Sequence, residues 1–130
     1  MTVKLYLQSS DEAPAIAGNW VMTRCRDIGL GERPAFQVTT CVVEAVNNCV
    51  EHAYRDAPGE ILIRLFCNTH WLVVQVQDRG PPTERQQAPT ELDPLQIDGR
   101  GWFIMQEWMD IAQYRRRQLK NVVTLAKYLD

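Results

Sequence analysis

The chain has 130 residues, a size that fits one domain able to bury a core without disulfides or a structural metal. Hydrophobic residues make up 45% and charged residues 23%, close to the average of soluble globular proteins, which excludes disorder over most of the chain. Lysine and arginine total 14 against 16 for aspartate and glutamate, so the net charge of -2 gives no basic footprint for nucleic acid or an anionic membrane.

The sequence predicts neither a membrane span nor an export signal. The longest apolar runs, such as residues 72–74, are far shorter than a bilayer requires. The first seven residues alternate apolar and polar side chains, unlike the continuous apolar stretch of a signal peptide. We therefore expect a cytoplasmic protein.

The cysteines fit core packing better than redox or metal chemistry. They are Cys25, Cys41, Cys49 and Cys67. No two of them form a Cys-x-x-Cys pair, and their spacings match no zinc site. Two of them fall on the apolar face of a predicted helix, where a thiol behaves as a small hydrophobic group.

The N-terminal segment predicts a strand followed by a helix. Residues 2–8 alternate apolar and polar side chains, the pattern of a half-buried strand. Residues 10–12 then supply the serine and acidic side chains typical of a helix N-cap. Apolar side chains recur at helical spacing from there until Gly29 ends the helix.

The middle of the chain predicts a second helix and a hairpin. The helix starts near Pro34, a first-turn proline, and runs to about Arg55. Residues 56–59 form a turn tetrad that breaks it. The segments 60–66 and 71–77 are apolar and flank a short turn, so they predict two antiparallel strands.

The last third begins with a segment that has no periodicity. Residues 79–98 hold four prolines and few apolar side chains, and a loop of that length in a compact domain is often a functional lid. A helix is predicted from about 100 to 110, followed by strands at 111–114 and 122–126. Those two strands are joined by a predicted basic turn, which contains Arg115, Arg116, Arg117 and Lys120.

This order of elements predicts one α+β domain over residues 1–130, a two-layer sandwich with a lid at about 79–98. Because the strands mostly come in hairpin pairs, we expect a mixed, mainly antiparallel sheet. The helices should pack on one face of it.

A polar stripe on the second helix is a candidate site. Glu44 and Asn48 are four residues apart, and His52 repeats the step, so the three side chains are neighbours along the helix. A carboxylate beside an amide oxygen offers a general base and a hard ligand for Mg²⁺. A solvated outer helix face is the alternative explanation of the same stripe.

Three motifs place the stripe in a wider pattern. Residues 44–54 (EAVNNCVEHAY) resemble the N box of the superfamily that contains gyrase, the heat-shock ATPase chaperones and histidine kinases. Residues 76–82 (VQDRGPP) resemble its first glycine box at the end of a strand. Residues 98–110 (DGRGWFIMQEWMD) resemble its second glycine box, which opens a helix. Each motif is weak alone, but together they occur in the right order on the right elements.

Within that superfamily the chain is most similar to the short anti-sigma factor serine/threonine-protein kinases. The resemblance implies the Bergerat ATP-binding fold, with ATP and Mg²⁺ bound between the motifs. It implies phosphorylation of a serine on a small anti-sigma factor antagonist of the STAS type and sequestration of a sigma factor. It also implies a homodimer, with no nucleic-acid or membrane partner.

The resemblance assigns roles to single residues. Glu44 would be the general base for the incoming hydroxyl, and Asn48 would coordinate Mg²⁺ through its amide oxygen. Asp78 would accept a hydrogen bond from the adenine amino group. Gly80 would let the backbone approach the base closely.

The remaining candidates surround the phosphates. Gly99 and Gly101 would present backbone amides at the start of the helix after the lid, and Arg100 would add a charge-assisted bond. The resemblance also places His52, Ala53 and Trp102 at the nucleotide. For His52, a helix-stabilising role is the alternative.

Three departures from the family pattern bear on activity. Pro82 replaces the second glycine of the first box and has no backbone N–H. Residues 120–122 (KNV) replace the family's Gly-Thr-Thr, which removes a hydroxyl at the adenine side. Trp102 replaces a small or aliphatic residue. ATP binding can survive these changes with slow turnover.

Other functions therefore stay open on the sequence alone. One is a nucleotide-gated binding module that sequesters its partner without phosphoryl transfer. Another is a detached ATP-binding domain of a two-component system. The arginine cluster at residues 115–117 is either a solvated turn or a docking patch for an acidic partner surface.

Overall fold

The computed structural model describes residues 1–82 and 97–129, and for residues 97–100 it describes the backbone alone. Most of the predicted lid, residues 83–96, lies outside the described residues. The elements are β1 Thr2–Gln8, α1 Ala13–Asp27, α2 Glu32–Asn48, β2 Glu60–Cys67, β3 Trp71–Asp78, α3 Ile97–Trp108, β4 Ile111–Arg117 and β5 Lys120–Tyr128. None of these helices is both long and apolar enough to cross a bilayer.

The strands form one sheet in the order β1-β2-β3-β5-β4. All four neighbouring pairs among the described strands are antiparallel. Because β5 pairs with β3 as well as with β4, the last hairpin extends the sheet beyond the first one. The α+β sandwich with a mainly antiparallel sheet is thereby confirmed.

The core lies between one face of the sheet and the helices. Inward side chains alternate along each strand, as in β3, where Leu72, Val74 and Val76 are buried. The helices contribute buried side chains at helical spacing. These are Ala17, Val21 and Cys25 from α1, Val38, Val42, Ala45 and Val46 from α2, and Trp102 and Met105 from α3.

The second helix differs from its prediction at the C-terminal end. It begins at Glu32 and ends as an α-helix at Asn48, and a π-helical turn follows over Cys49–Ala53. The Tyr54 N–H donates to the Cys49 carbonyl at 2.9 Å, a bond that spans five residues. Because a π turn holds one extra residue, it changes the directions of the side chains after Asn48.

Two other boundaries differ. The helix after the lid begins at Ile97, so Gly99 and Gly101 lie inside its backbone and not ahead of it. The predicted basic turn is wrong because β4 continues through Arg117 and β5 starts at Lys120. The turn consists of Gln118 and Leu119, whose φ angles of 49° and 67° suit a tight hairpin.

Candidate functional site

Asp78, the last residue of β3, is a buried carboxylate with an exposed fraction of only 2%. Three donors from the described residues point at its oxygens. The Cys49 thiol donates to Oδ2 at 3.2 Å, while the Gly80 N–H and the Asn121 amide donate to Oδ1 at 2.9 Å and 2.7 Å. These bonds fix the carboxylate as an oriented acceptor and offset the cost of burying it.

Asn121 of β5 holds this acceptor in place, a role that the sequence analysis did not predict. It is 1% exposed, and its Oδ1 accepts from the Tyr114 hydroxyl at 2.5 Å and from Arg116 Nη1 at 2.9 Å. Because two donors occupy Oδ1, the amide nitrogen must point the other way, toward Asp78. An asparagine on the same face of β5 as the core residues Val123 and Leu125 was the sequence signal for such a role.

The chain after Asp78 is tied to the same group. Asn121 Nδ2 also donates to the carbonyls of Gly80 at 3.1 Å and Pro81 at 3.2 Å, and Arg116 Nη1 donates to the Gly80 carbonyl at 2.9 Å. The Arg79 N–H donates to the Tyr54 hydroxyl at 2.7 Å, and that hydroxyl donates to the Glu60 carbonyl at 2.6 Å. The first glycine box is therefore anchored at least as far as Pro81.

The π-helical turn and the first glycine box touch at Ala53 and Gly80. A Cβ placed on Gly80 would lie 2.5 Å from the Ala53 carbonyl oxygen and 2.7 Å from its Cβ. Both are too short for real contacts, so this approach of two backbones requires glycine. The N box and the first glycine box, two of the three motifs predicted to share a nucleotide site, thus meet at the Asp78 end.

Cys49 belongs to this end of the site as well as to the core. Burial first, and then the nearby Asp78 carboxylate, raise the pKa of the Cys49 thiol well above its ordinary value. The thiol therefore keeps its proton and donates it to Asp78. The prediction that the buried cysteines pack in the core holds for Cys25 and Cys41, whose thiol pKa values burial raises to about 11 and about 12.

Glu44 and Gly101 define a second end of the site. A Cβ placed on Gly101 would lie 3.1 Å from Glu44 Oε2, so the carboxylate rests against the backbone of α3. Burial, and secondly the charge of Glu51, raise the pKa of Glu44 above its ordinary value. Glu44 of α2 lies five residues before Cys49, the first residue of the π-helical turn that continues α2, so about 7 Å of helix separates the two ends.

Asn48 lies between these ends, half-buried at the last α-helical residue of α2. Within the described part of the chain, its side chain makes no hydrogen bond. No cluster of three or more histidine, cysteine or acidic side chains is placed to hold a metal ion among the described residues. A metal here would therefore need ligands from a bound molecule in addition to Asn48.

The other predicted residues occupy varied surroundings. His52 lies in the π-helical turn, with Nε2 3.9 Å from Glu51 Oε2. Trp102 is 1% exposed and belongs to the core, which explains why this fold accepts a large side chain beside Gly101. The side chain of Arg100 lies outside the described residues, and Gly99 is placed by its backbone alone.

The site thus combines a buried, oriented carboxylate at the end of β3, which accepts from Cys49, with a second carboxylate on α2, which rests against a glycine of α3. The profile of the histidine kinase-like ATPase domain matches residues 8–127 of the chain. The chain belongs to the histidine kinase-like ATPase family. The match spans every motif predicted to contact nucleotide.

Named relatives of this ATPase domain agree with the assignment. The chain is 32% identical over 98 residues to an anti-sigma F factor of Caldanaerobacter subterraneus, an alignment that covers 71% of the chain and 68% of the relative. It is 31% identical over 102 residues to the serine/threonine-protein kinase BtrW of Bordetella bronchiseptica, covering 74% and 72%.

A solved structure shares the fold of this ATPase domain. The crystal structure of the RsbU and RsbW domains of Rv1364c from Mycobacterium tuberculosis superposes with a TM-score of 0.75 at 16% identity. The match covers 98% of the chain but only 32% of that longer chain. At this identity the likeness describes the fold.

Proposed function

We propose that this chain is an ATP-dependent serine kinase and an anti-sigma factor, which phosphorylates a small antagonist protein and sequesters a sigma factor. The observation that carries the proposal is a pair of carboxylates: Asp78 at the end of β3, buried and held as an acceptor, and Glu44 of α2, set against Gly101. The names of the relatives, an anti-sigma F factor and a serine/threonine-protein kinase, support the same assignment.

At the Asp78 end the site suits adenine. The exocyclic amino group of adenine is a donor, and a buried carboxylate is its strongest partner. Guanine would place a carbonyl oxygen at the corresponding position, where it would face an acceptor with no donor to meet it. Gly80 and Ala53, whose backbones already touch, would form the floor beside the base.

At the Glu44 end the site suits phosphoryl transfer to a hydroxyl. The serine oxygen attacks the γ-phosphorus of ATP, the bond from that phosphorus to the bridging oxygen breaks, and ADP leaves. Glu44 accepts the proton of the serine hydroxyl, and its raised pKa brings the carboxylate closer to the working pH of a general base.

The phosphate region would be completed by groups already near Glu44. Asn48 would hold Mg²⁺ through its amide oxygen, and the ion would neutralise charge on the phosphates. Gly99 lies in the first turn of α3, where backbone N–H groups are available to an anion. His52, Ala53, Arg100, Gly101 and Trp102 remain proposed neighbours of the nucleotide.

Partners and surroundings follow from the same proposal. The substrate would be an anti-sigma factor antagonist of the STAS type, the sequestered protein a sigma factor, and the active form a homodimer in the cytoplasm. The whole chain would act as one domain, with the segment 79–98 as a lid over the nucleotide.

Transfer of radiolabel from the γ-phosphate of ATP to a purified STAS-type antagonist tests the proposal. We expect a labelled serine with the unmodified chain and a loss of about a hundredfold or more with Glu44→Gln. Antagonist that binds but is never labelled would leave a sequestering module without kinase activity. Labelling by Glu44→Gln at the normal rate would remove Glu44 from its role.

Calorimetry with ATP tests the metal separately. We expect Mg²⁺ to tighten ATP binding to the unmodified chain and to have a smaller effect on Asn48→Ala. Asn47→Ala, one residue earlier on α2, is the matched control. An equal effect of Mg²⁺ on all three proteins would exclude Asn48 as a ligand.

A further inference from the structure

The outer face of the sheet, which points away from the helices, carries a continuous polar row. The strand registers align one side chain from every strand across the sheet. The row consists of Lys4, Arg64, Gln75, Thr124 and Gln113. Within it Gln75 Nε2 donates to Thr124 Oγ1 at 3.2 Å, and Arg64 reaches Gln77 Oε1 in the next row at 3.5 Å.

A groove of about 480 Å³ runs over this region and is lined by four cations, Arg64, Arg115, Arg117 and Lys120. Its other lining side chains are uncharged. Within residues 1–82 and 97–129, none of the four cations lies at ion-pair distance from a carboxylate. The groove is therefore a local positive field on a chain whose net charge is -2.

The three arginines of β4 do not all lie on the same face of the sheet. Side chains alternate between the two faces, so Arg115 and Arg117 point outward while Arg116 points to Asn121. Arg116 is occupied by the carboxylate network of Asp78, whereas its two neighbours face solvent. Arg116 therefore belongs to the Asp78 end of the candidate site, and Arg115 and Arg117 belong to the outer face of the sheet.

An apolar row lies directly beside the polar one. Two residues further along the strands, the registers align Phe66, Val73, Ala126 and Ile111. Phe66 and Ile111 are 41% and 38% exposed, and the rings of Trp71 and Tyr128 meet edge to face at 5.3 Å beyond them. Exposed apolar side chains next to unpaired cations mark an interaction surface.

We propose that this outer sheet face docks an acidic amphipathic segment of a protein partner, with its carboxylates in the groove and its apolar side chains on the neighbouring row. A nucleic acid would use the cations but leave the apolar row uncovered. A second copy of the chain would bring four more cations to the same surface, which opposes pairing. The inference rests on the sheet alone and is independent of the nucleotide site.

Fluorescence anisotropy with a labelled peptide of alternating glutamate and leucine tests this docking. We expect the full chain to bind it at low salt, to bind more weakly as salt rises, and to ignore a peptide with glutamine in place of glutamate. The double variant Arg115→Gln/Arg117→Gln should bind about tenfold more weakly, as the loss of two exposed charge pairs predicts. Arg26→Gln/Arg33→Gln, on exposed positions of α1 and α2, removes equal charge as the control.

Several outcomes of these binding measurements would contradict the docking proposal. Absence of binding by the unmodified chain, equal binding of the glutamine peptide, or equal weakening in the control variant would each overturn the proposal. Amide shifts in an NMR titration should map to β3 and β5, and shifts confined to the helices would also overturn it. If Phe66→Ser/Ile111→Ser dissociates a dimer that the peptide cannot displace, a second copy is the occupant and the proposal is wrong.

Discussion

Asn121 Nδ2 and Asp78 Oδ1 lie 2.7 Å apart, and the two residues are direct cross-strand partners in β5 and β3. The register of the sheet, and not the conformation of a loop, therefore sets the position of the proposed adenine acceptor. Tyr114 and Arg116 of β4 orient the amide from its other side. Three strands thus hold one carboxylate.

Replacing Asn121 with alanine should weaken both the fold and the nucleotide site. The change removes the donor to Asp78 and leaves buried groups without partners, at a cost of about 1–3 kcal/mol in the free energy of unfolding. We expect the affinity for ATP to fall roughly tenfold and the preference for ATP over GTP to decrease. Urea unfolding and calorimetry measure the two effects.

Thr124→Ala is the matched control for that variant because it lies on the same strand with its side chain on the outer face. It should leave ATP affinity unchanged. If both variants lose affinity equally, the effect comes from general loosening of β5 and Asn121 has no specific role.

Much of this site could be predicted from the sequence, and the reasons differ between its parts. Strand alternation and the glycine motifs located Asp78 and Gly80 because their signals are local. Asn121 was missed because its role depends on pairing with a residue 43 positions away. The π-helical turn was missed because Cys49–Ala53 has the composition of an ordinary helix. The arginine cluster was placed in a turn because the predicted last strands were too short.

Alanine at position 80 should damage the fold through a backbone collision. Its Cβ would lie 2.5 Å from the Ala53 carbonyl oxygen, and the backbone at position 80 cannot move away without straining its bonds to Asp78 and Asn121. Overpacking of this kind costs about 1–3 kcal/mol. Thermal unfolding should show a clear decrease in Tm.

Gly31→Ala gives the comparison, because a Cβ there meets its nearest atoms, on Pro34, at an ordinary 3.7 Å. As the N-cap of α2, it should cost about 1 kcal/mol or less. A Gly80→Ala protein with unchanged Tm and ATP affinity would show that the two motifs do not need this close approach.

Alanine at position 101 should lower phosphoryl transfer without lowering the stability of the fold. Inside α3, exchanging glycine for alanine favours the helix by up to about 1 kcal/mol. The new Cβ would sit 3.1 Å from Glu44 Oε2 and push the carboxylate by a few tenths of an ångström. We expect phosphoryl transfer to fall roughly tenfold while Tm stays equal or rises.

Single-turnover labelling of the antagonist and thermal unfolding on the same preparation test this pair of outcomes. A parallel loss of both activity and Tm would mean that the variant disturbs packing in general. Full activity in Gly101→Ala would show that the position of Glu44 against α3 is not needed for transfer.

The raised pKa of Glu44 makes transfer depend on pH in a way that Glu51 should tune. A general base must be ionised, so the rate should rise with pH, with a midpoint above the ordinary glutamate value of about 4.3. The charge of Glu51 is the second cause of the raised pKa of Glu44, and Glu51→Gln removes it. The midpoint of the transfer rate against pH should therefore move down in this variant. The midpoint should stay above the ordinary value because burial, the larger cause, remains.

The same shift has a consequence for stability, because the folded state holds the proton of Glu44 more tightly than the unfolded state does. That stabilisation is complete below the unfolded pKa and is lost as pH rises through the folded pKa. Glu44→Gln should therefore raise the free energy of unfolding relative to the unmodified chain at neutral pH, but not in acid, while it lowers transfer about a hundredfold or more. Glu12→Gln, at the exposed start of α1, should change neither quantity, and an equal response there would show that net charge and not the site causes the effect.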